Sequence, residues 1–237
     1  MTVYTRDNPS PRYDELAGIY RQVHQAGLPG SGVATSELYG GRSLIAHIPR
    51  LREIIRLTGS RTILDYGSGK GLLYKRRNFF LPDGTVVAGL QDYWGVDAIS
   101  CFDPGVPDFS IPPRLASDGV ICTDVLEHVP EEDIAWLLAE LFRLADRFVY
   151  ATIAAFPASK TLPNGLNAHV TVHPSEWWAE RIEAAAQGWR GRGYEFQVRE
   201  RRGPVMRLAR KLFGLSKWTT TSITHGLAQD TGQSGTT

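Results

Sequence analysis

A short apolar run followed by three closely spaced glycines constrains this 237-residue chain more than any other feature. Residues 62–64, Thr-Ile-Leu, are typical of a buried strand, and they lead directly into residues 65–71, Asp-Tyr-Gly-Ser-Gly-Lys-Gly. Glycine lets a backbone approach a ligand closely, because no side chain intervenes. Ligands of open α/β sheets bind at the carboxyl ends of the strands. The sequence therefore predicts a ligand-binding loop at the end of a strand.

Strand-like and helix-like segments alternate along the chain. Apolar runs predict strands at residues 62–64, 98–102, 119–123, 147–153 and 194–199. Helical spacing of apolar residues predicts helices at 13–25, at 43–58 with Pro49 as a kink or a start, from Pro130 to about Leu144, and at 175–187. This alternation predicts an α/β fold of three layers, in which helices cover both faces of a mostly parallel sheet.

Composition and charge exclude several classes of protein. The apolar fraction is 42% and the formal net charge is +1, so the chain is neither disordered by composition nor strongly basic. It contains no apolar stretch of about 20 residues that would span a bilayer. Residues 1–16 also lack the apolar core of a signal peptide. We therefore expect a cytoplasmic protein without a transmembrane segment.

The same patterns divide the chain into four segments. We expect an N-terminal helical lid at 1–59, a ligand-binding core at 60–200, a basic extension at 201–218 and a disordered tail at 219–237. Residues 199–217 hold seven basic residues and one acid, which is typical of a solvated face. The alternative is contact with an anionic surface such as lipid or nucleic acid.

The residues after the glycines separate three classes of loop. A dinucleotide loop has the pattern G-x-G-x-x-G, and here Leu72 stands in the third glycine position. A triphosphate loop needs Lys and then Ser or Thr after its last glycine, and here two leucines follow. The pattern D-x-G-x-G-x-G instead resembles motif I of the class I S-adenosylmethionine (SAM)-dependent methyltransferases. The resemblance implies a Rossmann-like fold and SAM bound by Asp65, Gly67, Ser68, Gly69 and Gly71.

Two further strand ends extend this resemblance. The family places an acid after its second strand, where it accepts hydrogen bonds from the ribose hydroxyls. Asp103 fits that position and Asp92 is the alternative; we prefer Asp103 because Pro104 and Gly105 break the chain directly after it. Residues 118–130 resemble the fourth-strand motif of ubiquinone-biosynthesis O-methyltransferases, which implies that Asp124 faces the methyl donor or acceptor.

The spacing between these acids predicts a departure from the family's sheet. Only 14 residues separate Asp103 from Asp118, so we expect a reduced region around the third strand. In this fold the second and fourth strands flank the first. Cys101 and Cys122 would then lie roughly 10 Å apart, which is too far for a disulfide. Their spacing also fits no metal-thiolate motif, and we expect both to be core residues.

His128 is the first candidate for chemistry after the fourth strand. It is interpreted either as a structural histidine or as a general base, since histidine titrates near neutrality. A third alternative is a metal ligand. Asp124, Glu127 and His128 resemble the E-x-x-E-H metal site of the ubiquinone O-methyltransferases and of small-RNA 3′-end methyltransferases, although Asp replaces the first Glu and shortens the reach. Such ligands suit Mg²⁺ or Mn²⁺. Of these alternatives, a metal in the site is not the one that we expect.

Residues 156–178 combine polar groups with two tryptophans. Polar side chains beside aromatic rings are typical of a small-molecule pocket, although an ordered structural loop is an equal alternative. We name His169 and Lys160 as further catalytic candidates, and the expected substrate-binding residues are Asn164, Asn167 and Trp177. The stretch is similar to one in uncharacterised bacterial methyltransferases, so the resemblance implies no particular substrate.

The function expected from these features is methyl transfer from SAM to an oxygen or nitrogen of a small metabolite or sugar-like acceptor. One alternative is metal-assisted methylation of an RNA 3′ end, although a net charge of +1 does not favour a nucleic-acid partner. A second alternative is a SAM-binding protein without catalysis, or a nucleotide-binding regulator. The sequence leaves the oligomeric state open.

Overall fold

A computed structural model describes residues 2–27, 40–201 and 216–227 of the chain. Its strands are β1 (Thr62–Tyr66), β2 (Phe79–Phe80), β3 (Val86–Val87), β4 (Ala98–Phe102), β5 (Ser117–Thr123), β6 (Ala145–Ala155), β7 (Gly193–Arg201) and β8 (Trp218–His225). Six of them form one sheet in the order β4-β1-β5-β6-β7-β8, and only β8 is antiparallel to its neighbour. The predicted mostly parallel sheet and its five strands are confirmed.

The helices are α1 (Pro11–Ala26), α2 (Ile48–Thr58), α3 (Leu72–Lys75), α4 (Leu90–Trp94), α5 (Ile134–Arg143) and α6 (Ser175–Ala186). Pro49 stands in the first turn of α2, so it marks the start of that helix, and a 3₁₀ turn occupies the residues just before. The helix predicted from Pro130 begins later, because Glu131–Asp133 form a separate 3₁₀ turn.

Two apolar layers cover the two faces of the sheet. On one face α5 and α6 pack Leu141 and Trp178 against Val120 of β5. On the other face α2 packs Leu51 against Ile121, the next residue along β5. Successive strand residues point to opposite faces, which is why apolar runs rather than alternating patterns mark these strands. The architecture is therefore an α/β, Rossmann-like sheet between helical layers.

The prediction of a lid at 1–59 is wrong for the part that forms α2, because the apolar stripe of α2 packs in the core. Helix α1 lies across the carboxyl ends of the strands, and residues 40–44 also line the cavity there. Ser10 caps α1, and its backbone N–H donates a 2.9 Å hydrogen bond to Asp133 Oδ1. Leu16 of α1 packs against Leu162 and Ala168 of the long loop after β6. These contacts fix α1 over the end of the sheet.

The expected disorder after residue 219 is also wrong for the part that the structure describes. Residues 218–225 form β8 and pair with β7 over eight consecutive positions. β-Branched threonines and Ile223 suit an extended strand, although a Thr- and Ser-rich composition suggested disorder. Most of the basic extension, 202–215, and the last residues, 228–237, lie outside the described residues.

The segment between β4 and β5, where we expected a reduced region, adds no strand to the sheet. Between β4 and β5 the described chain holds one 3₁₀ turn, Pro107–Phe109, and no strand. The sheet therefore ends at β4. Strands β4 and β5 flank β1 as expected, and Cys101 and Cys122 on those two strands are free thiols.

Within the described ranges, no helix combines the length and the apolar character needed to cross a membrane.

Candidate functional site

A cavity of about 560 Å³ opens at the carboxyl ends of β1, β4, β5 and β6, beneath α1. The chain leaves β1 for β4 on one side, and β5 lies on the other side, so the strand order reverses at this point. Open α/β sheets bind ligands at such a reversal. The volume lies within the roughly 300–1,000 Å³ that is typical of small-molecule pockets.

The glycine loop forms one wall of this cavity. Gly67, Gly69 and Gly71 all adopt the left-handed region, with φ of +82°, +55° and +58°. The backbone N–H groups of Gly67 and Ser68 donate to the carbonyl of Phe102 at 2.7 and 3.1 Å. These bonds tie the loop to the end of β4 and hold its backbone along the cavity.

Asp65 is a buried carboxylate at the base of the loop. Its Oδ2 accepts a 2.6 Å hydrogen bond from the Tyr74 hydroxyl, whereas its buried Oδ1 has no hydrogen-bond partner among the described residues. Burial raises the pKa of Asp65 to about 7. An unpartnered buried carboxylate oxygen beside a cavity suits a cationic ligand group, which would restore the ionised form.

Asp103 occupies the expected position after β4. Its Oδ2 accepts from the Gly69 N–H and its Oδ1 from the Gly105 N–H, both at 2.8 Å. The carboxylate therefore lines the cavity in a fixed orientation, with lone pairs remaining for ligand hydroxyls. The alternative, Asp92, is exposed on α4, where it pairs with Arg77 at 3.6 Å, away from the cavity lining.

Asp124 directly follows β5 and lines the cavity between the loop and β6. It is one of two described non-glycine residues with a positive φ, +55°. Its N–H donates to the carbonyl of Thr152 at 3.1 Å, and its Oδ1 accepts from the Thr152 hydroxyl at 2.8 Å. Non-glycine residues adopt this backbone at a cost and cluster at functional sites. The contacts with β6 thus hold Asp124, whose backbone is strained, at the cavity wall.

Glu127, His128 and His169 form a second cluster at the same wall. One carboxylate oxygen and one ring nitrogen from each histidine lie within 4.8 Å of one another. Glu127 Oε1 accepts from the Ala154 N–H at 3.1 Å, and its buried Oε2 has no partner among the described residues. Burial, with a smaller effect of the Asp124 charge, raises the pKa of Glu127 to about 8. The cluster therefore offers an acceptor atom that a cation or a donor would satisfy.

The two histidines share one hydrogen-bonding pattern. His128 Nδ1 lies 2.7 Å from the Ala168 carbonyl and 2.8 Å from the Tyr20 hydroxyl, and His169 Nδ1 lies 2.6 Å from the Phe156 carbonyl. A carbonyl can only accept, so each neutral ring keeps its proton on Nδ1 and leaves Nε2 as the acceptor. Burial lowers the pKa of His128 to about 4, and burial also lowers the pKa of His169.

This cluster corrects the metal ligands expected from the sequence. The described residues close enough to share an ion are Glu127, His128 and His169, and Asp124 is not among them. Metal-binding histidines commonly donate their second nitrogen to a carbonyl, which is the pattern seen here. One carboxylate and two imidazoles would suit a divalent ion.

The loop after β6 brings only part of its expected residues to the cavity. Lys160 and His169 line it, whereas Asn164, Asn167 and Trp177 do not. Asn167 is occupied by the loop itself: its Oδ1 accepts from Ala158 and His169 N–H groups, and its amide donates to the Ala158 carbonyl.

The other two residues are also occupied elsewhere. The Asn164 Oδ1 accepts from the Leu166 N–H at 3.2 Å, and its amide donates to Glu15. Trp177 stacks on His173, with ring centroids 4.1 Å apart, and carries Arg181 over its ring. The expected substrate role of Asn164, Asn167 and Trp177 is therefore not supported.

Several residues that line the cavity were not predicted. Examples are Tyr13, Tyr20 and His24 on α1, together with Arg42 and Arg199. The α1 residues recur at steps of seven and four, which places them on one helical face, and this periodicity was a usable signal. No local pattern marks the two arginines.

No protein-family model matches this sequence, and no curated protein matches it either.

Proposed function

We propose that this protein is a SAM-dependent methyltransferase that methylates an oxygen or nitrogen of a small-molecule acceptor. The observation that carries the proposal is the buried Oδ1 of Asp65, which has no hydrogen-bond partner among the described residues and lies beside a glycine loop where the strand order reverses. SAM is cationic, and its ammonium group would supply the missing donor. The cavity also extends beyond the loop to His128, His169 and Lys160, which leaves room for an acceptor.

The chain's own residues would bind and orient both reactants. Asp65 pairs with the ammonium group, Asp103 accepts from the ribose hydroxyls, and the glycine backbone lies against the donor. SAM, when bound, supplies an electrophilic methyl group. The cavity wall at Asp124 positions the acceptor atom in line with it, since proximity and alignment provide much of the rate. His169 Nε2 takes the proton from the methyl acceptor, because burial lowers the pKa of His169 and keeps its ring neutral at pH 7.

The metal cluster supports a second candidate, metal-assisted methylation of an RNA 3′ end. Glu127 Oε2 and one Nε2 from each of His128 and His169 would hold a divalent ion. Such an ion polarises a hydroxyl and fixes its position. A bound cation would also keep the Glu127 carboxyl ionised despite its burial.

The proposal is tested by calorimetry with SAM, S-adenosylhomocysteine and NAD. We expect the first two to bind and NAD not to bind. Asp65→Asn should weaken SAM binding by about tenfold or more, since a charge-assisted contact is lost. Asp92→Asn, which changes an exposed acid outside the cavity, is the matched control. A folded protein that binds neither SAM nor S-adenosylhomocysteine would contradict the proposal.

The two candidates are separated by chelation and by metal titration. If the metal cluster is used, Mn²⁺ should bind wild type and bind Glu127→Gln far more weakly, and exhaustive chelation should abolish methyl transfer. Activity that survives chelation would exclude the metal-assisted reaction. SAM binding without turnover on any acceptor would favour a non-catalytic SAM-binding protein.

A further inference from the structure

Acidic and basic side chains line different ends of the cavity, with Asp124 and Glu127 between them after β5. The acids Asp65 and Asp103 lie at the β1–β4 end, beside the glycine loop. At the other end, Lys160 of the loop after β6 and Arg199 of β7 line the cavity. Arg199 stands opposite Ala154 in the β6–β7 register, near the carboxyl end of the parallel sheet. The cationic methyl donor suits the acidic end, so the basic end would receive the methyl acceptor.

Arg199 is held at this end by aromatic rings. Its guanidinium carbon lies 5.3 Å from the ring centroid of Phe156 and 5.4 Å from that of Trp218. The two rings are 4.2 Å apart, and Phe156 also lines the cavity. Within the described ranges no carboxylate lies at ion-pair distance from Arg199. Contact with rings restrains the guanidinium while its N–H donors stay available to a ligand.

The charge of Arg199 acts on groups inside the site. Burial raises the pKa of Glu127 and lowers the pKa values of His169 and His47; the Arg199 charge is a smaller effect that partly offsets the first shift and adds to the other two. Its guanidinium therefore lies close to the wall where the acceptor would react. Asp124 and Glu127 are the acids of that wall, and both are tied by β6: Asp124 to Thr152, and Glu127 to the Ala154 N–H.

We propose, building on the methyltransferase function, that Arg199 selects an acceptor carrying an oxyanion, either a carboxylate or a phosphate, next to a planar or apolar portion. The guanidinium fork matches both oxyanions with paired N–H donors. The Phe156 ring, which lines the cavity, provides an apolar surface beside that fork. Lys160 adds a second positive charge at the same end of the cavity.

The test uses protein saturated with S-adenosylhomocysteine and three probes: benzoate, its neutral analogue benzamide, and inorganic phosphate. Calorimetry should show that wild type binds benzoate or phosphate at least about tenfold more tightly than Arg199→Gln does. The affinity for S-adenosylhomocysteine should not change, and benzamide should not distinguish the two proteins. Arg201→Gln, an exposed arginine of β7 outside the cavity lining, should behave as wild type.

The outcomes separate this proposal from the one on which it rests. Failure of S-adenosylhomocysteine to bind would contradict the methyltransferase function itself. Normal binding of S-adenosylhomocysteine, with anion affinities that are absent or equal in wild type and Arg199→Gln, would overturn the role of Arg199 alone. Binding of benzoate but not phosphate would assign a carboxylate acceptor, and the reverse would assign a phosphate acceptor.

Discussion

Glycine is required at position 67 both by the backbone conformation and by the close packing around it. Its φ is +82°, and a Cβ at this position would lie 2.3 Å from Cγ2 of Val125. Val125 follows β5, so the glycine lets two strand ends approach each other at the cavity wall. The first glycine of the loop therefore serves packing between strands as well as access for a ligand.

Gly67→Ala should destabilise the protein by more than the roughly 1–3 kcal/mol expected for backbone strain alone. The matched control is Gly84→Ala, which has a similar φ of +85° but no atom within 4 Å of its added Cβ. Denaturant unfolding measures both. Adding Val125→Ala to Gly67→Ala should recover part of the loss. Equal losses for the two glycine variants would contradict the packing argument.

The raised pKa of Glu127 predicts a pH dependence of stability in metal-free protein. The pKa rises from an ordinary 4.5 to about 8, so the folded state retains a proton that the unfolded state releases. The free energy of unfolding should therefore fall as pH rises from about 5 to about 8. Glu127→Gln should remove most of this fall, which is on the order of 4 kcal/mol.

This dependence is measured by urea unfolding in the presence of chelator at several pH values. Glu132→Gln, an exposed acid in the following turn, is the control and should follow the wild-type curve. Parallel curves for wild type and Glu127→Gln would show that burial does not perturb Glu127. If Mn²⁺ stabilises the wild-type protein at pH 8 but does not stabilise Glu127→Gln, the result would support the metal cluster.

At residue scale, the sequence predicts the site residues that follow strands but not those whose position depends on the path of a loop. Asp65 and Asp103 follow apolar runs, so their placement at one sheet edge could be inferred. His169 reaches Glu127 only because the loop after β6 folds back: the N–H groups of Val170 and Thr171 donate to the Glu127 carbonyl. Asn167 does not line the cavity, and its polar groups bind that loop's own backbone.

At element scale, β8 shows where composition misleads. Isolated from the fold, residues 218–225 are a polar segment that lacks an apolar run. An edge strand needs only one apolar face, and Ile223 packs against the core that α5 and α6 form with the sheet. The neighbouring strand β7 supplies the hydrogen-bonding partner, which no local pattern reveals.

Removal of residues 218–237 should therefore destabilise the protein, because it deletes β8 and exposes the edge of β7. We expect the melting temperature to fall by at least about 4 °C, equivalent to one or two kcal/mol in a domain of this size. Removal of residues 228–237 alone leaves β8 intact and is the control. Identical melting of the two shortened proteins, measured by circular dichroism, would show that β8 adds no stability.

At the scale of the whole molecule, the cavity joins segments from most of the described chain. Helix α1, the glycine loop, the ends of β4 and β5, the loop after β6 and β7 all contribute lining residues. The α/β class was predictable, since apolar runs report on local structure, and the order of the central strands was expected from the family resemblance that the glycine loop carries. The position of α1 was not, because it depends on contacts such as Ser10 with Asp133, far apart in sequence.

A ligand that contacts all these segments should stabilise the fold as one unit. At a SAM concentration of 100 times its dissociation constant, the gain is about 2.7 kcal/mol, or roughly 5–10 °C in melting temperature. Thermal unfolding with and without SAM measures the shift. Asp65→Asn, which binds SAM about tenfold or more weakly, should show about half of this shift or less at the same SAM concentration, and Asp92→Asn the full shift. A full shift in Asp65→Asn would contradict the assignment of Asp65.

Asp65 Oδ1, which has no hydrogen-bond partner in the part of the chain that the structure describes, also bears on the abundance of the protein in a cell. A buried acceptor without a donor makes the empty protein less durable than the occupied one. Proteases act on the fraction that is transiently unfolded, and small changes in stability alter abundance several-fold. We therefore expect the amount of this protein to follow the supply of its cationic ligand, rising when that ligand is plentiful and declining when it is scarce.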